Sequence, residues 1–452
     1  MRLTKRILTL FIILIIISFN TAAAKAAAAN LSFFTDMSED SESGWPDYPE
    51  IYGEAAIVME ASGGVILYQK NMDAAMYPAS VTKLLTALLV LESCTPDEQV
   101  YFSDNAVFSI PSNSSHIAMN PGEYLSVENC LYGLLLASAN EVANALAEHV
   151  SGSVSTFVEL MNKRAKELGA INSNFVNPHG LHDANHYTTC YDVATICQTL
   201  LQNKLFLKID GTASYIIPPT NLQPQKRPVN TTHKLLRSGA LHYNGCIGGK
   251  TGLTDAAGNT LVTFAERNGI TLICVVMKSD SAHVNTDSTT LLDYGFDYFK
   301  KADIKSNETS FDFTGNMPPA VDTDLFHNPN PTLYLRENDC VYLPVTADFS
   351  DLAYTLLRSS DENVFAEVIY TYKGHYVGGT KLLVSAAPHI SEEPPALRSP
   401  ENDTVRTVII RRIYLIAAAF IIIVLIAIIV YLRLTRISRM RKRAVRRRKH
   451  FM

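Results

Sequence analysis

Residues 259–267 and 270–278 are two strand-like apolar runs joined by Asn268-Gly269. An Asn-Gly link tolerates φ > 0 at both positions, which makes it the strongest short signal for a tight antiparallel hairpin. Just upstream, Gly248-Gly249-Lys250-Thr251-Gly252-Leu253 belongs on a neighbouring strand, whose glycines admit another backbone at close range. Residues 55–60 and 65–68 flank Ser62-Gly63-Gly64 and read as a second hairpin.

Between the hairpins the period changes. Residues 78–83, Pro-Ala-Ser-Val-Thr-Lys, lead into an apolar run over 84–91, which predicts a helix opening near Ser80. Residues 131–146 are too continuously apolar for a surface helix and belong to a helical core, interrupted by Ser138 and Asn140. A helix from about 156 ends at Gly169, a suitable C-cap, and others are expected over 191–202 and 288–301. The class is α+β, an antiparallel sheet with a helical cluster.

From 302 to 388 the pattern shifts to short alternating segments separated by turn residues, among them 332–335, 340–343, 365–372 and 381–385. This predicts a small β-sandwich-like domain. Residues 389–412 read as a linker, and 413–432 form an unbroken apolar stretch of 20 residues, the length of a transmembrane helix. Ten Lys/Arg residues in the tail 433–452 outweigh Arg406, Arg411 and Arg412 before the span, which puts the tail on the cytoplasmic side. Residues 1–24 carry Arg2, Lys5 and Arg6, an apolar core over 7–19 and Ala22-Ala23-Ala24, the layout of a secretory signal peptide. Residues 25–49 read as a flexible leader, and 50–301 as the principal domain. The topology expected is a single-pass protein of a cell membrane, with its domains extracytoplasmic and membrane lipid as a partner of the helix and tail.

The formal net charge of −5 includes that basic tail, so the body is distinctly acidic and has no electrostatic reason to bind nucleic acid. Seven widely spaced cysteines with no Cys-x-x-Cys pair suggest neither a disulfide framework nor a structural zinc site. His179, His182 and His186 lie in a Gly/Pro/Asn/Asp loop without metal-ligand spacing and are assigned packing roles. Neither metal nor cofactor is expected.

Chemistry concentrates in three clusters. Ser80 and Lys83, three apart on a helix, share a face, so the amine can reach the hydroxyl as the base of a nucleophile. Ser138-x-Asn140 and Lys250-Thr251-Gly252 follow, on a helix and a strand. Each cluster alone is weak, but the ordered set is specific.

With these clusters the chain resembles the serine-type D-Ala-D-Ala carboxypeptidases, the low-molecular-mass penicillin-binding proteins, over residues 48–301. The likeness extends to Asn177-Pro178-His179-Gly180-Leu181, to His186-Tyr187-Thr188-Thr189, to residues 230–236, and to Gly249-Lys250-Thr251-Gly252-Leu253-Thr254 with Ala257-Gly258. It implies a β-lactamase/transpeptidase-like domain and removal of the terminal D-Ala from peptidoglycan pentapeptide stems, with acylation by β-lactam antibiotics. It also implies an oxyanion hole from the backbone N–H groups of Ser80 and Leu253.

The residues themselves suit that chemistry. An acyl-enzyme on Ser80 splits amide hydrolysis into two easier steps, and Lys83 beside cationic Lys250 would be neutral often enough to act as base. Ser138 could relay a proton to the leaving amine, Asn140 could hold the substrate backbone, and Lys250 with Thr251 suit a terminal carboxylate. A D,D-endopeptidase or β-lactamase with the same acylation chemistry, or a catalytically idle cell-wall scaffold, are the alternatives. Glu167 and Asn172 stand five apart, one more than the Glu-x-x-x-Asn spacing of class A β-lactamases, which argues against efficient β-lactam hydrolysis. Cys190-Tyr191-Asp192 and His233 depart from the family pattern.

Overall fold

A computed structural model describes residues 44–308, 332–359, 361 and 364–385. The expected signal peptide, leader, linker, transmembrane helix and tail lie outside them, save for residues 44–49 of the leader. Among the described residues no helix is long and apolar enough to cross a membrane.

The principal sheet has five antiparallel strands: β1 (Ala55–Glu60), β2 (Ile66–Lys70), β3 (Cys246–Thr254), β4 (Gly258–Arg267) and β5 (Ile270–Ser279), in the order β2-β1-β5-β4-β3. The β4–β5 link has φ +54° at Asn268 and +73° at Gly269, the left-handed pair that a two-residue hairpin demands. Alternate residues of each strand face opposite sides. Ile57, Met59, Phe264, Ile273 and Val275 join the core that includes α1 (Lys83–Ser93), α2 (Val127–Leu135), α3 (Asn140–Ser151), α4 (Val154–Glu167) and α5 (Cys190–Leu200). Ala56, Val58, Leu272, Cys274 and Val276 join a second core under α7 (Val284–Tyr298). Both faces are covered, which is why β5 reads as a nearly unbroken apolar run. Each fully buried aliphatic side chain contributes on the order of 1.5–3 kcal/mol.

Helix α1 is buried at every position from Lys83 to Val90, so it runs through the core rather than over it. The long apolar run 131–146 is not one helix. It breaks between α2 and α3, where Ser138 takes φ +59° and the Asn140 N–H donates to the Ser115 carbonyl at 2.9 Å. A further helix, α6 (Lys204–Asp210), ends beneath β3.

The helix expected over 288–301 stops at Tyr298, because Phe299 is buried in the second core and Phe299–Asp303 pairs as β6 with β8 (Cys340–Pro344). The second sheet also holds β7 (Thr332–Leu335), β9 (Ala353–Arg358), β10 (Val364–Tyr372) and β11 (His375–Ser385). Its pairing order is β6-β8-β11-β10-β9, with β7 added to β11. It is therefore one connected six-stranded antiparallel sheet, not the two facing sheets of a sandwich, because β11 is long enough to pair with β7, β8 and β10. Trp45 stacks on His375 at 4.0 Å between ring centroids and joins the chain before β1 to this sheet.

Candidate active site

Ser80 sits in a 3-10 turn, Ala79–Thr82, that runs directly into α1. Ala79 has φ +48°, a region alanine rarely enters, so the turn must be held by its surroundings. Thr82 Oγ1 donates to the Ala79 carbonyl at 2.8 Å and lies 2.8 Å from His186 Nε2. The Val176 N–H donates to His186 Nδ1 at 3.1 Å, so Nδ1 keeps its lone pair and Nε2 carries the proton. Donation thus runs from His186 to Thr82 to Ala79. Burial lowers the His186 pKa to about 4 and keeps the ring neutral. On the other side Gly180, at φ +83°, is so close that a Cβ there would run into the Ala79 carbonyl oxygen.

Lys83, the first residue of α1, is fully buried. Its Nζ lies 3.0 Å from Ser80 Oγ, 2.7 Å from Asn140 Oδ1 and 2.6 Å from the His179 carbonyl oxygen. Burial, and then the charge of Lys250, push this amine well below its ordinary range, while Glu141 opposes them. The two oxygens can only accept. When the amine is neutral they take both of its N–H bonds and leave its lone pair for Ser80.

Ser138 occupies the break between α2 and α3, where its buried Oγ makes no hydrogen bond. Asn140 opens α3 two residues later and is itself buried. The elements meet because α3 begins where α1 begins, with Lys83 and Asn140 bonded across the junction.

Lys250 is buried on β3, and its Nζ donates to the Thr251 carbonyl at 2.8 Å. Burial brings its pKa down to about 8 against the opposing pull of Asp210. Asp210 closes α6, accepts from the Gly249 N–H at 2.6 Å, and has a pKa raised to about 7 by burial. Thr251 Oγ1 is 2.6 Å from Thr232 Oγ1. A Cβ on Gly252 would come within 3.0 Å of the Pro78 carbonyl and 3.1 Å of Ala79 Cβ, and Thr260 Oγ1 donates to Pro78 O at 3.1 Å. Strand β3 thus lies against the Ser80 turn. Leu253, on the same strand, is 68% exposed.

Lys83 therefore touches both Ser80 and Asn140, with Gly252 against the same turn and Lys250 coupled to Lys83 by charge. Asp210, Thr82 and Thr232 were not singled out by sequence, and His186 was assigned loop packing rather than a bond to the nucleophile turn. A lone carboxylate closing a short helix that holds Leu205, Phe206, Leu207 and Ile209 was the signal available for Asp210. Glu167 is engaged elsewhere, 3.5 Å from Arg164 and 3.7 Å from Lys163 at the exposed end of α4.

A half-buried serine beside a fully buried lysine at a helix start, facing a Lys-Thr-Gly strand within a penicillin-binding, transpeptidase-like α+β fold, has the make-up of a serine acyl-transfer site. The profile of the D-alanyl-D-alanine carboxypeptidase family matches residues 42–281, and the chain belongs to that family. The Bacillus subtilis D-alanyl-D-alanine carboxypeptidase DacF is 34% identical over 262 residues, 57% of this chain and 65% of that protein, a little under two thirds of its length. The Haemophilus influenzae carboxypeptidase DacA is 32% identical over 278 residues, 60% of this chain and 68% of that protein. Among solved structures, penicillin binding protein 5 from Haemophilus influenzae superposes with a TM-score of 0.59 at 25% identity, covering 75% of this chain and 98% of its own. The Mycobacterium tuberculosis D-alanyl-D-alanine carboxypeptidase gives 0.52 at 28% identity, covering 56% and 95%.

Proposed function

We propose that this protein is an exported, membrane-anchored serine D,D-carboxypeptidase that removes the terminal D-Ala from peptidoglycan pentapeptide stems, and that β-lactams acylate the same serine. The observation that carries this reading is the buried Lys83 amine, 3.0 Å from Ser80 Oγ, with two further acceptors, Asn140 Oδ1 and the His179 carbonyl, at 2.7 and 2.6 Å. Ser80 Oγ attacks the carbonyl carbon of the penultimate D-Ala and passes its proton to Lys83. The backbone N–H groups of Ser80 and Leu253 hold the resulting oxyanion. The C–N bond then breaks, and Ser138 relays the proton from Lys83 to the leaving amine. Water, deprotonated by Lys83, hydrolyses the ester and restores Ser80.

Asn140 spends its Oδ1 on Lys83, so its Nδ2 hydrogens remain for a substrate carbonyl. Lys250 and Thr251 hold the terminal carboxylate, the first by charge and the second by hydrogen bond. Anchoring rests on the apolar stretch 413–432 and its basic tail, and export on residues 1–24. Together they support a single pass through the bacterial cell membrane, the catalytic domain outside, the C-terminus in the cytoplasm and membrane lipid as a contact.

The test is to incubate full-length protein with a D-Ala-D-Ala-terminated peptide and with a fluorescent penicillin. D-alanine release and a covalent adduct, both absent from Ser80→Ala, are expected. Neither product from the unmodified protein, or an adduct that persists in Ser80→Ala, overturns the reading.

A further inference from the structure

The helices that begin at Lys83 and Asn140 end beside one another, and there three donors of different chemistry converge. Cys94 is the residue that closes α1, with its N–H on the Val90 carbonyl at 2.9 Å. Glu98 lies in the turn before the strand Gln99–Tyr101, and His149 is in the last turn of α3. The thiol sulfur, a carboxylate oxygen and an imidazole nitrogen of these residues all lie within 4.8 Å of one another. Glu98 Oε2 is 3.1 Å from His149 Nε2, and Glu98 Oε1 accepts from the Thr95 N–H at 2.6 Å.

We propose that Cys94, Glu98 and His149 bind a divalent cation of the zinc class and so clamp together the far ends of the two helices that carry Lys83 and Asn140. The donor set selects the metal. Magnesium and calcium take oxygen ligands almost exclusively, whereas a thiolate, an imidazole and a carboxylate together suit zinc. Three protein ligands leave one tetrahedral position, which water fills at a partly exposed site. The side chains of His149 and Glu98 are 23% and 40% exposed, which gives that water access.

Zinc holds sulfur at about 2.3 Å and nitrogen or oxygen at about 2.0–2.2 Å. Neighbouring donors around it are therefore separated by roughly 3.3–3.7 Å, the tetrahedral consequence of those bond lengths. The His149–Glu98 pair is already that close, and Cys94 draws in by about 1 Å through side-chain rotation, well within a rotamer change. On binding, the thiol gives up its proton to solvent. One thiolate and one carboxylate then balance the two charges of the ion, with the imidazole neutral. The site eludes spacing rules because Cys94 and His149 are far apart in sequence and on different helices.

Cobalt(II) is the probe, because a thiolate ligand gives it an intense near-ultraviolet charge-transfer band. Full-length protein titrated with Co2+ should bind one equivalent at micromolar concentration with that band, and Zn2+ should displace it. Cys94→Ser should lose the band, and His149→Ala should weaken binding at least tenfold. Zn2+ should raise the melting temperature of the unmodified protein and of Ser80→Ala, but not that of Cys94→Ser or His149→Ala. Should a variant fold poorly, Glu98→Gln, which keeps the side-chain shape, is expected to weaken Co2+ binding as well. No band, binding only at millimolar metal, or a band that survives in Cys94→Ser overturns the proposal. The readout is the metal itself, so the result is independent of whether the chain is a carboxypeptidase.

Discussion

His186 Nε2 lies 2.8 Å from Thr82 Oγ1, and this contact joins a loop residue to the turn that presents Ser80. Thr82→Val keeps the shape and removes the hydroxyl, leaving a buried N–H on His186 and a carbonyl on Ala79 without their partner. A loss of about 1–3 kcal/mol in stability is expected, as for any buried group left unsatisfied. Because Ala79 loses its restraint, acylation by penicillin should slow by at least about tenfold, a displacement effect. Stopped-flow acylation and chemical denaturation measure the two quantities separately.

Acid should begin to destabilise the fold below about pH 6.5, offset in part by Asp210, whose buried carboxyl is raised to about 7. Burial depresses His186 and His233 to about 4 from an ordinary value of 6.5. As pH falls below 6.5 the unfolded chain takes up protons at these positions while the folded one does not. The contribution is fully present above 6.5 and is lost progressively down to about 4, at up to about 1.4 kcal/mol per pH unit for each histidine. Thermal melts from pH 7 to pH 4.5 should show this slope, and His233→Asn should reduce it.

The Lys250–Asp210 pair sets the alkaline limit of substrate binding. Lys250 must be cationic to attract a carboxylate, and its pKa is about 8, so KM should rise above that pH. Asp210 favours the cationic form. Asp210→Asn should therefore move the rise to lower pH by about one unit, the usual scale of a nearby charge. Asp210 itself titrates at about 7, so its help fades as pH falls through that value. KM measured across pH 6–9 is the check, and an unchanged profile would count against the pairing.

Gly180 is the residue least able to change. Both its φ of +83° and the Ala79 carbonyl oxygen against it exclude a side chain. Gly180→Ala should cost about 1–3 kcal/mol from the backbone alone and abolish the adduct at Ser80. Gly152→Ala, also at positive φ but with open space around it, should cost stability and leave acylation intact.

Local chemistry made the β4–β5 hairpin and the order of the three clusters legible, since Asn268-Gly269 and Ser80-x-x-Lys83 act over a few residues. The break at Ser138 was visible only as an interruption, because its positive φ is imposed by packing and by the bond from Asn140 to Ser115. Asp210 could not be read as a partner of β3, since its hydrogen bond to Gly249 spans 39 residues. Strand β9 left no alternating trace because all six of its residues are exposed, and β6 continues a helical pattern until pairing with β8 claims it. His186 carried no signal of its role, because its proton matters only once Val176 fixes the tautomer.

The order β2-β1-β5-β4-β3 sets the earliest strand of the principal sheet against its last. A growing chain must therefore keep β1 unsatisfied on one edge until residue 279 is available, with most of the helices already made. Contacts of such sequence separation form slowly. The Ser80 turn waits longer than its own helix does, because Gly252 and Thr260 complete its walls. No nascent or truncated form ending before β4 can hold the lysine neutral beside the serine, so reactivity toward acyl donors arises only when the chain has closed on itself.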